Sequence, residues 1–445
     1  MAALDETKSV YGFAIHALLG RQGTVPKKWF DVISGSPKRL KGHLSSNRVL
    51  ADLQRLEMID IVSVPAIGEC VRLTGFPLET DVSFARLKAT LVTDRFFLTA
   101  IEDWLKKLGL VSYHKVDLRA DDGSPTFGHF GWDLTAPSYI HPMVCYRAGA
   151  KALPGFVVVD IALHSHLGDK QIGYFVNKCD ILRNQKRTRP FMSLLVAQGF
   201  TEEAYRIGKT RGMIFTTPEL LFGKDVAEGL RTLTKTLENA ARYAVKTPEV
   251  IPTLFSKLGR IEGASGNLRG ALFELIVGHC VKEKDGGYID IGVEIKDPQS
   301  GEFAEIDVLR VKQNQEVCIY ECRGHAPDVT VDDKTIEHWI EHRIPRIRRW
   351  ILNQSHYSKC KLSFEFWTTG TLTPEASAHL RNASTKTRKY TIAWKTGQEV
   401  YEYVQAVGSK RLMHVMKEQY LKHPLSQLND FSDRTAEVYS ARAHP

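Results

Sequence analysis

Apolar residues at helical spacing, followed by short alternating runs, mark the first part of the chain. Residues 10–19 form an apolar segment, and residues 45–47 offer a cap to a second helix. In that second helix apolar residues recur three or four positions apart: Val49, Leu50, Leu53 and Leu56. Residues 59–64 and 70–73 are strand-like runs on either side of a turn. The pattern predicts a helix, a second helix and a β-hairpin.

Residues 151–260 show the alternation of strands and helices that is typical of an α/β domain. Four apolar or β-branched runs predict strands, at 156–162, 172–176, 191–197 and 213–217. A helix is predicted to begin at residues 201–203, where two acidic residues suit the positive end of the helix dipole. A long amphipathic helix is predicted over 225–243.

Residues 261–445 give the clearest pattern, in which one helix precedes three strands and further helices alternate with strands. The predicted elements are a helix at 268–281, strands at 288–295, 303–311 and 317–322, a helix at 332–352, a strand at 361–368, a helix at 373–381, a strand at 390–394 and a helix at 408–421. We therefore predict a multidomain α/β protein with domains at 1–150, 151–260 and 261–445.

Composition narrows the class of protein. The chain has 445 residues, of which 43% are apolar and 25% charged, close to an ordinary soluble protein. No apolar run approaches the roughly 20 residues that a membrane helix needs, and the N-terminus lacks the features of a signal peptide. The seven cysteines include no CxxC pair, which argues against a zinc ribbon. We expect a soluble, cytoplasmic protein with no membrane partner.

Positive charge is concentrated in the middle of the chain. The net charge is +9, and residues 151–260 hold 17 Lys and Arg against 10 Asp and Glu, whereas residues 261–445 hold 25 of each. The densest basic stretch contains Arg183, Lys186, Arg187 and Arg189. Such a stretch favours a surface that binds a polyanion such as DNA. The alternative is a solvated loop without a partner.

The helix, helix and hairpin near the N-terminus resemble a winged helix, in which the second helix enters the DNA major groove. Arg48 lies on that second helix and is a candidate DNA contact. Residues 93–108, 110–118 and 131–135 repeat the layout loosely, which predicts tandem winged-helix-like units. This region is nearly neutral, with 18 basic and 16 acidic residues, so a role in joining proteins is equally open.

Four charged residues fall on three of the elements predicted for residues 261–445. Glu274 lies on the first helix, Asp307 on the second strand, and Glu321 and Arg323 at the end of the third strand. Residues two positions apart on a strand face the same side, so Glu321 and Arg323 point together. The spacing from Asp307 to Glu321 suits adjacent strands joined by a turn. Two carboxylates can therefore meet beside one cation.

Phosphodiester hydrolysis needs this combination of groups. Carboxylates hold Mg²⁺ or Mn²⁺, which activates a water molecule, and a nearby cation stabilises the charge that develops at phosphorus. The third strand is apolar and is expected to be buried, where charges need partners or a metal. The alternative is an ion pair that braces two strands.

The order of elements and charges resembles the PD-(D/E)xK, or restriction-endonuclease-like, nucleases over about residues 265–370. The resemblance implies that Glu274 is the acid on the helix and that Asp307 and Glu321 are metal ligands. It also implies that the backbone carbonyl of Cys322 is a further ligand. The resemblance covers one domain, in which the short motif falls on the expected elements in the expected order.

The sequence departs from that family at Arg323, which stands where lysine is usual. Arginine hardly ever loses its proton, so Arg323 can stabilise charge but cannot act as a general base. Lys334, at the start of the next helix, is a candidate substitute for the missing lysine.

The middle region resembles a second, eroded copy of the same domain. Asp160 lies on one predicted strand, and Lys178 lies near the end of the next. Val176 stands where the second acid is expected, so this copy is not expected to hold a metal. An unrelated α/β domain is the alternative interpretation.

These observations predict a DNA-binding, Mg²⁺- or Mn²⁺-dependent nuclease, of a kind that serves restriction, phage defence or repair. The alternative is a catalytically inactive, nuclease-like subunit that binds nucleic acid or partner proteins in a larger complex. A third class is a protein-interaction scaffold, for which any DNA binding would show no salt dependence.

Overall fold

The computed structural model describes residues 9–64, 67–75, 81–120, 123–145, 152–259, 265–313, 315–327, 329–357 and 360–421. These residues form a mixed α/β protein, as the sequence predicts. The first compact unit holds the described residues up to Glu238, and the second holds those from Asn239 onward. No helix among the residues described is both long enough and apolar enough to cross a membrane.

The N-terminal part of the first unit is a small helical subdomain with a three-stranded antiparallel sheet in the order β1-β3-β2. Its elements are α1 (Val10–Leu19), β1 (Thr24–Pro26), α2 (Phe30–Ile33), α3 (Ser46–Arg55), β2 (Ile59–Val64) and β3 (Gly68–Leu73). Ser9 and Ser45 cap α1 and α3, since their hydroxyl oxygens accept backbone N–H bonds. The predicted helix, helix and hairpin are confirmed, and β1 and α2 are added between the two helices.

The rest of the first unit is built on a five-stranded sheet in the order β10-β9-β8-β7-β4. Its elements are α4 (Asp81–Lys107), β4 (Asp117–Leu118), β5 (Thr126–Phe127), β6 (Phe130–Gly131), β7 (Leu134–Ser138), β8 (Gly155–Leu167), α5 (Gly173–Arg183), β9 (Phe191–Phe200), α6 (Glu202–Thr210), β10 (Ile214–Thr216), α7 (Pro218–Phe222) and α8 (Lys224–Glu238). Buried residues of β8, β9 and α5 join the core of the N-terminal subdomain, so the two parts share one interior.

Two predictions about this region are wrong. Strands β4 and β7 pair antiparallel, as predicted, but they do not form a separate winged-helix-like unit, because β7 also pairs with β8 in the five-stranded sheet. The predicted domain boundary at residue 150 therefore falls inside the first unit. Residues 172–176 begin helix α5 and are not a strand, because the buried side chains recur at helical spacing: Ile172, Phe175, Cys179 and Leu182.

The second unit has its own five-stranded sheet, in the order β11-β12-β13-β15-β17. Its elements are α9 (Ala240–Lys246), α10 (Val250–Leu258), α11 (Ser265–Asp285), β11 (Tyr288–Lys296), β12 (Phe303–Lys312), β13 (Glu316–Arg323), β14 (Thr330–Val331), α12 (Asp333–His338), α13 (Ile344–Asn353), β15 (Lys361–Thr368), β16 (Thr371–Leu372), α14 (Pro374–Lys386), β17 (Thr391–Lys395), α15 (Gly397–Val407) and α16 (Lys410–Met416). The predicted strands and most of the predicted helices are confirmed. The helix predicted at 332–352 is interrupted between α12 and α13, and α15 was not predicted before the last helix. Helices α9 and α10 precede these elements within the unit.

A π-helical turn, Trp339–Arg343, joins α12 to α13. Pro345 explains it, because proline has no N–H to bond to the carbonyl four residues earlier and its ring crowds that carbonyl. The turn is anchored by Trp339, which is buried and packs edge-on against Phe366 of the sheet. A π-helical turn changes the direction in which the side chains around it point, and such turns are frequent at functional sites.

The two large sheets have the same topology. In each, the first three strands pair antiparallel in sequence order, and the fourth and fifth strands add parallel. In each, one helix precedes the sheet and one lies between the fourth and fifth strands. Between the third and fourth strands lies one helix, α5, in the first sheet and two, α12 and α13, in the second. The chain therefore contains two cores of one design, which we call core 1 (residues 81–216) and core 2 (residues 265–395).

Candidate active site

Two buried carboxylates lie side by side on the central strands of core 2. Strands β12 and β13 are antiparallel with Val308 opposite Tyr320, so Asp307 and Glu321 come next on their strands. Asp307 is 6% exposed and Glu321 is 2% exposed. The N–H of Cys322 donates to Asp307 Oδ2 at 2.7 Å. The pairing predicted from the sequence is thus present, and we call Asp307 and Glu321 the acid pair.

Arg343, at the end of the π-helical turn, bridges the acid pair. Its Nη1 donates to Glu321 Oε1 at 2.7 Å, and its Nη2 lies 3.4 Å from Asp307 Oδ1. The same Nη2 donates to the backbone carbonyl of Glu305 at 2.7 Å. The sequence did not single out Arg343, although the proline two residues later in a helical pattern is a signal of an irregular turn.

Arg323 lies beside the acid pair on the side predicted for it. Its Nη2 is 2.6 Å from Glu321 Oε1, and its side chain is 37% exposed. Lys334, the predicted substitute for the usual lysine, is exposed on α12. The second cation at the acid pair is therefore Arg343 and not Lys334.

Glu274 approaches the site from helix α11. Burial, followed by the charges of Asp307 and Glu274, raises the pKa of the Cys322 thiol well above its usual range, so Glu274 lies close to this strand end. The helix and the strand approach closely at Gly324, where a side-chain carbon would come within 2.5 Å of Phe273 Cβ. Glycine at this position allows α11 to lie against the end of β13.

Burial disfavours the ionised form of both acids of the pair, and the two arginines oppose that effect. Burial raises the pKa of Asp307, and Arg343 opposes that effect. Burial, followed by the charge of Asp307, raises the pKa of Glu321 to about 8. Both pKa values are raised, as expected for two carboxylates at one buried site. A positive charge bound between them would stabilise their ionised forms.

The chemistry of the donors fits a magnesium ion. Within the part of the chain that the structure describes, no group of three or more His, Cys, Asp and Glu side chains is arranged to hold a metal. Mg²⁺ requires fewer, because it binds through one or two carboxylates and completes its shell with water and substrate phosphate. Asp307 and Glu321 supply those two carboxylates.

Core 1 has an acid pair at the same place, although the sequence predicts only one acid there, Asp160. Asp160, on β8, occupies the position of Glu321, and its partner is Asp133, which immediately precedes β7. Asp133 Oδ2 accepts the N–H of Ile161 at 2.7 Å, as Asp307 accepts that of Cys322. The expectation that Val176 stands in for a missing acid on a strand is wrong, because residues 173–183 are helical.

In core 1 a helical cation pairs with Asp160 and is shielded from solvent, while Arg119 Nη1 donates to Asp133 Oδ1 at 2.7 Å. Lys178 of α5 donates to Asp160 Oδ2 at 2.6 Å and to the carbonyls of Val32 and Gly131 at 3.0 and 2.9 Å. Lys178 and Asp160 are both 0% exposed. Burial raises the pKa of Asp160 to about 6, and Lys178 opposes that effect. The site in core 1 is therefore closed on all sides by protein groups.

The predicted DNA-binding arginines differ in what they contact. Arg183 donates to the carbonyls of Arg211 and Gly212 at 2.5 and 3.3 Å, and Arg189 donates to that of Pro154 at 3.4 Å. Lys186 and Arg187 are exposed between them.

The remaining predicted contact, Arg48 on α3, has a side chain that is 60% exposed. Its Nε donates to Asp52 Oδ2 at 3.0 Å. Of the predicted basic contacts, Lys186, Arg187 and Arg48 are thus the ones most open to a ligand.

Comparison with known proteins adds no relative. The chain matches no protein-family model and no curated protein.

Proposed function

We propose that the protein binds DNA and hydrolyses its phosphodiester bonds with Mg²⁺ at the acid pair of core 2. The observation that carries the proposal is the meeting of two buried carboxylates, Asp307 and Glu321, beside Arg323 and Arg343. Buried carboxylates with raised pKa values next to fixed cations are typical of sites that hold a metal or act on a charged substrate. Core 2 is then a restriction-endonuclease-like core, and core 1 is a second core of that kind.

Each residue of the site would have its own role in hydrolysis. Asp307 and Glu321 would hold the ion, with the carbonyl of Cys322 as a further oxygen ligand. Bound Mg²⁺ polarises a phosphoryl oxygen and lowers the pKa of a water molecule. Arg323, which is part-exposed, would face the phosphate and stabilise the charge that develops on it. Glu274, on the adjoining helix, would orient the attacking water. Water adds across one P–O bond and leaves a phosphate monoester and a hydroxyl group.

DNA binding would use two other surfaces of the first unit. The order and pairing of elements from α1 to β3 support a winged helix, with Arg48 of α3 facing the DNA. The exposed Lys186 and Arg187 would contact phosphates without reading bases.

A cleavage assay with isosteric variants tests the proposal. Purified protein is incubated with plasmid, linear and single-stranded DNA in Mg²⁺, Mn²⁺ or EDTA. We expect metal-dependent cleavage by the parent and a loss of at least about a hundredfold in D307N and E321Q, because each removes a ligand of the ion. The control is E302Q, which removes an exposed acid at the start of the same hairpin and should leave cleavage intact. Equal cleavage by D307N and the parent would show that the reaction occurs elsewhere.

One observation favours the non-catalytic alternative. Arg343 already occupies the place between the two carboxylates, as an ion pair that braces strands β12 and β13 would require. A nucleic-acid-binding subunit of this kind would show salt-dependent DNA binding and no cleavage with any metal.

A further inference from the structure

Arg343 is held by both strands of the acid pair and yet is not sealed in. One nitrogen, Nη1, donates to Glu321, and the other, Nη2, donates to the carbonyl of Glu305 and reaches Asp307 at 3.4 Å. The side chain is 18% exposed. The guanidinium therefore contacts the carboxylates, while the side chain as a whole stays partly open to solvent.

In core 1 the equivalent cation is Lys178, which is fully buried and bonded only to protein groups. Lys178 comes from the equivalent helix and contacts the equivalent acid, Asp160. It is 0% exposed, donates to two backbone carbonyls, and lies 3.8 Å from the centre of the Trp132 ring. Every direction open to its ammonium group is occupied by protein. Among the residues that the structure describes, Arg343 has one carbonyl partner, Glu305, a long contact to Asp307 and a side chain that is 18% exposed.

A divalent ion and a guanidinium compete for the same carboxylate oxygens, since their positive charges repel each other at short distance. A displaced arginine needs another anion, and phosphate is one that its planar fork can bind through two parallel hydrogen bonds. In the proposed function, the only phosphate brought to this site is that of the nucleic acid.

We propose that Arg343 is an exchangeable internal cation that neutralises the acid pair without metal and passes to a nucleic-acid phosphate when a divalent ion binds. The second half of this inference depends on the proposed function, whereas the competition between Arg343 and the metal does not. Its consequence is that metal and DNA strengthen each other's binding by the same factor, because coupling between two ligands is reciprocal. Metal alone binds weakly, and the site is loaded only where a phosphate is present.

The first test measures Mn²⁺ binding to the DNA-free protein by electron paramagnetic resonance. We expect R343M to bind Mn²⁺ about tenfold more tightly than the parent, because the cation that bridges both carboxylates is gone and only Arg323, which contacts Glu321 alone, stays. R343K keeps a competing charge and should bind as weakly as the parent. R346M is the matched control, since Arg346 lies one turn further along and pairs with the exposed Glu302. R343Q replaces R343M if the latter lacks the parent's circular dichroism spectrum.

The second test measures DNA affinity by fluorescence anisotropy with and without Ca²⁺, which takes the same oxygen ligands. We expect Ca²⁺ to raise the DNA affinity of the parent and of R346M about tenfold, and that of R343M by much less. Equal enhancement in R343M and the parent would refute the transfer to phosphate.

The outcomes separate this inference from the proposed function. A folded R343M or R343Q that binds Mn²⁺ no more tightly than the parent overturns the inference, even if the parent cleaves DNA. A parent that never cleaves, together with an R343M that gains Mn²⁺ affinity, overturns the nuclease proposal and supports the competition.

Discussion

In each core, a cation that lies between the third and fourth strands donates a hydrogen bond to the second acid of the pair. In core 1, Lys178 donates to Asp160 at 2.6 Å, and in core 2, Arg343 donates to Glu321 at 2.7 Å. The two hydrogen bonds have nearly the same length, but their surroundings differ. Lys178 is shielded from water and makes three hydrogen bonds to protein groups instead. Removing one member of such a buried pair leaves the other charge without a partner. The free energy of unfolding then falls by far more than the intact pair contributes to it.

Lys178→Met should therefore destabilise the protein by about 3–5 kcal/mol, because Asp160 and two carbonyls lose their donor. Urea denaturation at neutral pH measures the loss. The double variant K178M/D160N should recover part of it, since the unpaired buried charge is removed. K186M, at an exposed position of the nearby loop, is the control and should change stability by less than about 0.5 kcal/mol. An unchanged midpoint in K178M would mean that its ion pair adds nothing to folding.

The residues of the acid pair in core 2 could be predicted because strands impose a period of two and a short turn fixes the register. Asp307, Glu321 and Arg323 needed only that pattern. Arg343 could not be predicted in this way, since its approach to the sheet is set by helix packing and by an irregular turn. Asp133 was not predicted, because it lies just before a strand of only five residues, β7, and is 27 positions from Asp160. The two acids of core 2 are only 14 positions apart.

Among the elements, the hairpin β11–β12 is tied to helix α13 by one buried carboxylate. Asp297 accepts bonds from Arg349 Nε and Nη2 at 2.9 and 2.5 Å, and from the hydroxyl of Ser300 at 2.7 Å. The Arg349 guanidinium, together with these local donors, holds the pKa of Asp297 well below its usual range. The contact fixes the turn of the hairpin against the helix that follows the π-helical turn and so helps to position Arg343.

This ion pair predicts a pH-dependent stability. A carboxyl whose folded pKa lies below its unfolded value of about 3.9 stabilises the fold above that value and loses the stabilisation as pH falls. R349M should thus be less stable than the parent at pH 7, and the difference should shrink as the pH falls below about 4. Urea denaturation at several pH values measures it, with R346M as the exposed-pair control. A difference that does not depend on pH would show that Arg349 acts through packing alone.

Helix α5 shows why one element was mispredicted. Its first residues are β-branched and aromatic, which favours a strand over a window of five. Over eleven residues the same side chains fall on one helical face that packs into the shared core of the first unit. Short apolar runs fit both periods, and tertiary burial decides between them.

At the scale of the whole molecule, the described residues form two sheets of the same topology. The acid pair of core 1 is fully shielded from solvent, whereas that of core 2 is partly open to it. In core 1 the closing groups include the carbonyl of Val32, which belongs to the N-terminal helical subdomain. The order of helices and strands in core 2 could be predicted from the sequence, but the same order in core 1 could not. A small hairpin, β5–β6, separates two of its strands, and its second acid pairs with a residue outside the predicted domain.

The excess of positive charge in the middle of the chain leads to a test of where DNA binds. Lys186 and Arg187 are exposed, whereas Arg183 and Arg189 donate to backbone carbonyls. Each phosphate that a basic side chain neutralises releases a counterion from the DNA. K186Q/R187Q should therefore lower the slope of log affinity against log salt by up to about 0.9 for each duplex phosphate that is no longer neutralised.

The matched pair R183Q/R189Q removes the same charge from the same loop but breaks hydrogen bonds within the protein. It should lower the melting temperature and leave the salt slope closer to that of the parent, because these guanidinium groups are already engaged. Cleavage by K186Q/R187Q should fall at physiological salt and recover at low salt, since the acid pair is untouched and only the capture of DNA is weakened. If the two double variants have equal slopes, net charge alone attracts the DNA. If neither slope changes, DNA binds elsewhere on the protein, and R48Q on α3 is the variant to measure in the same assay.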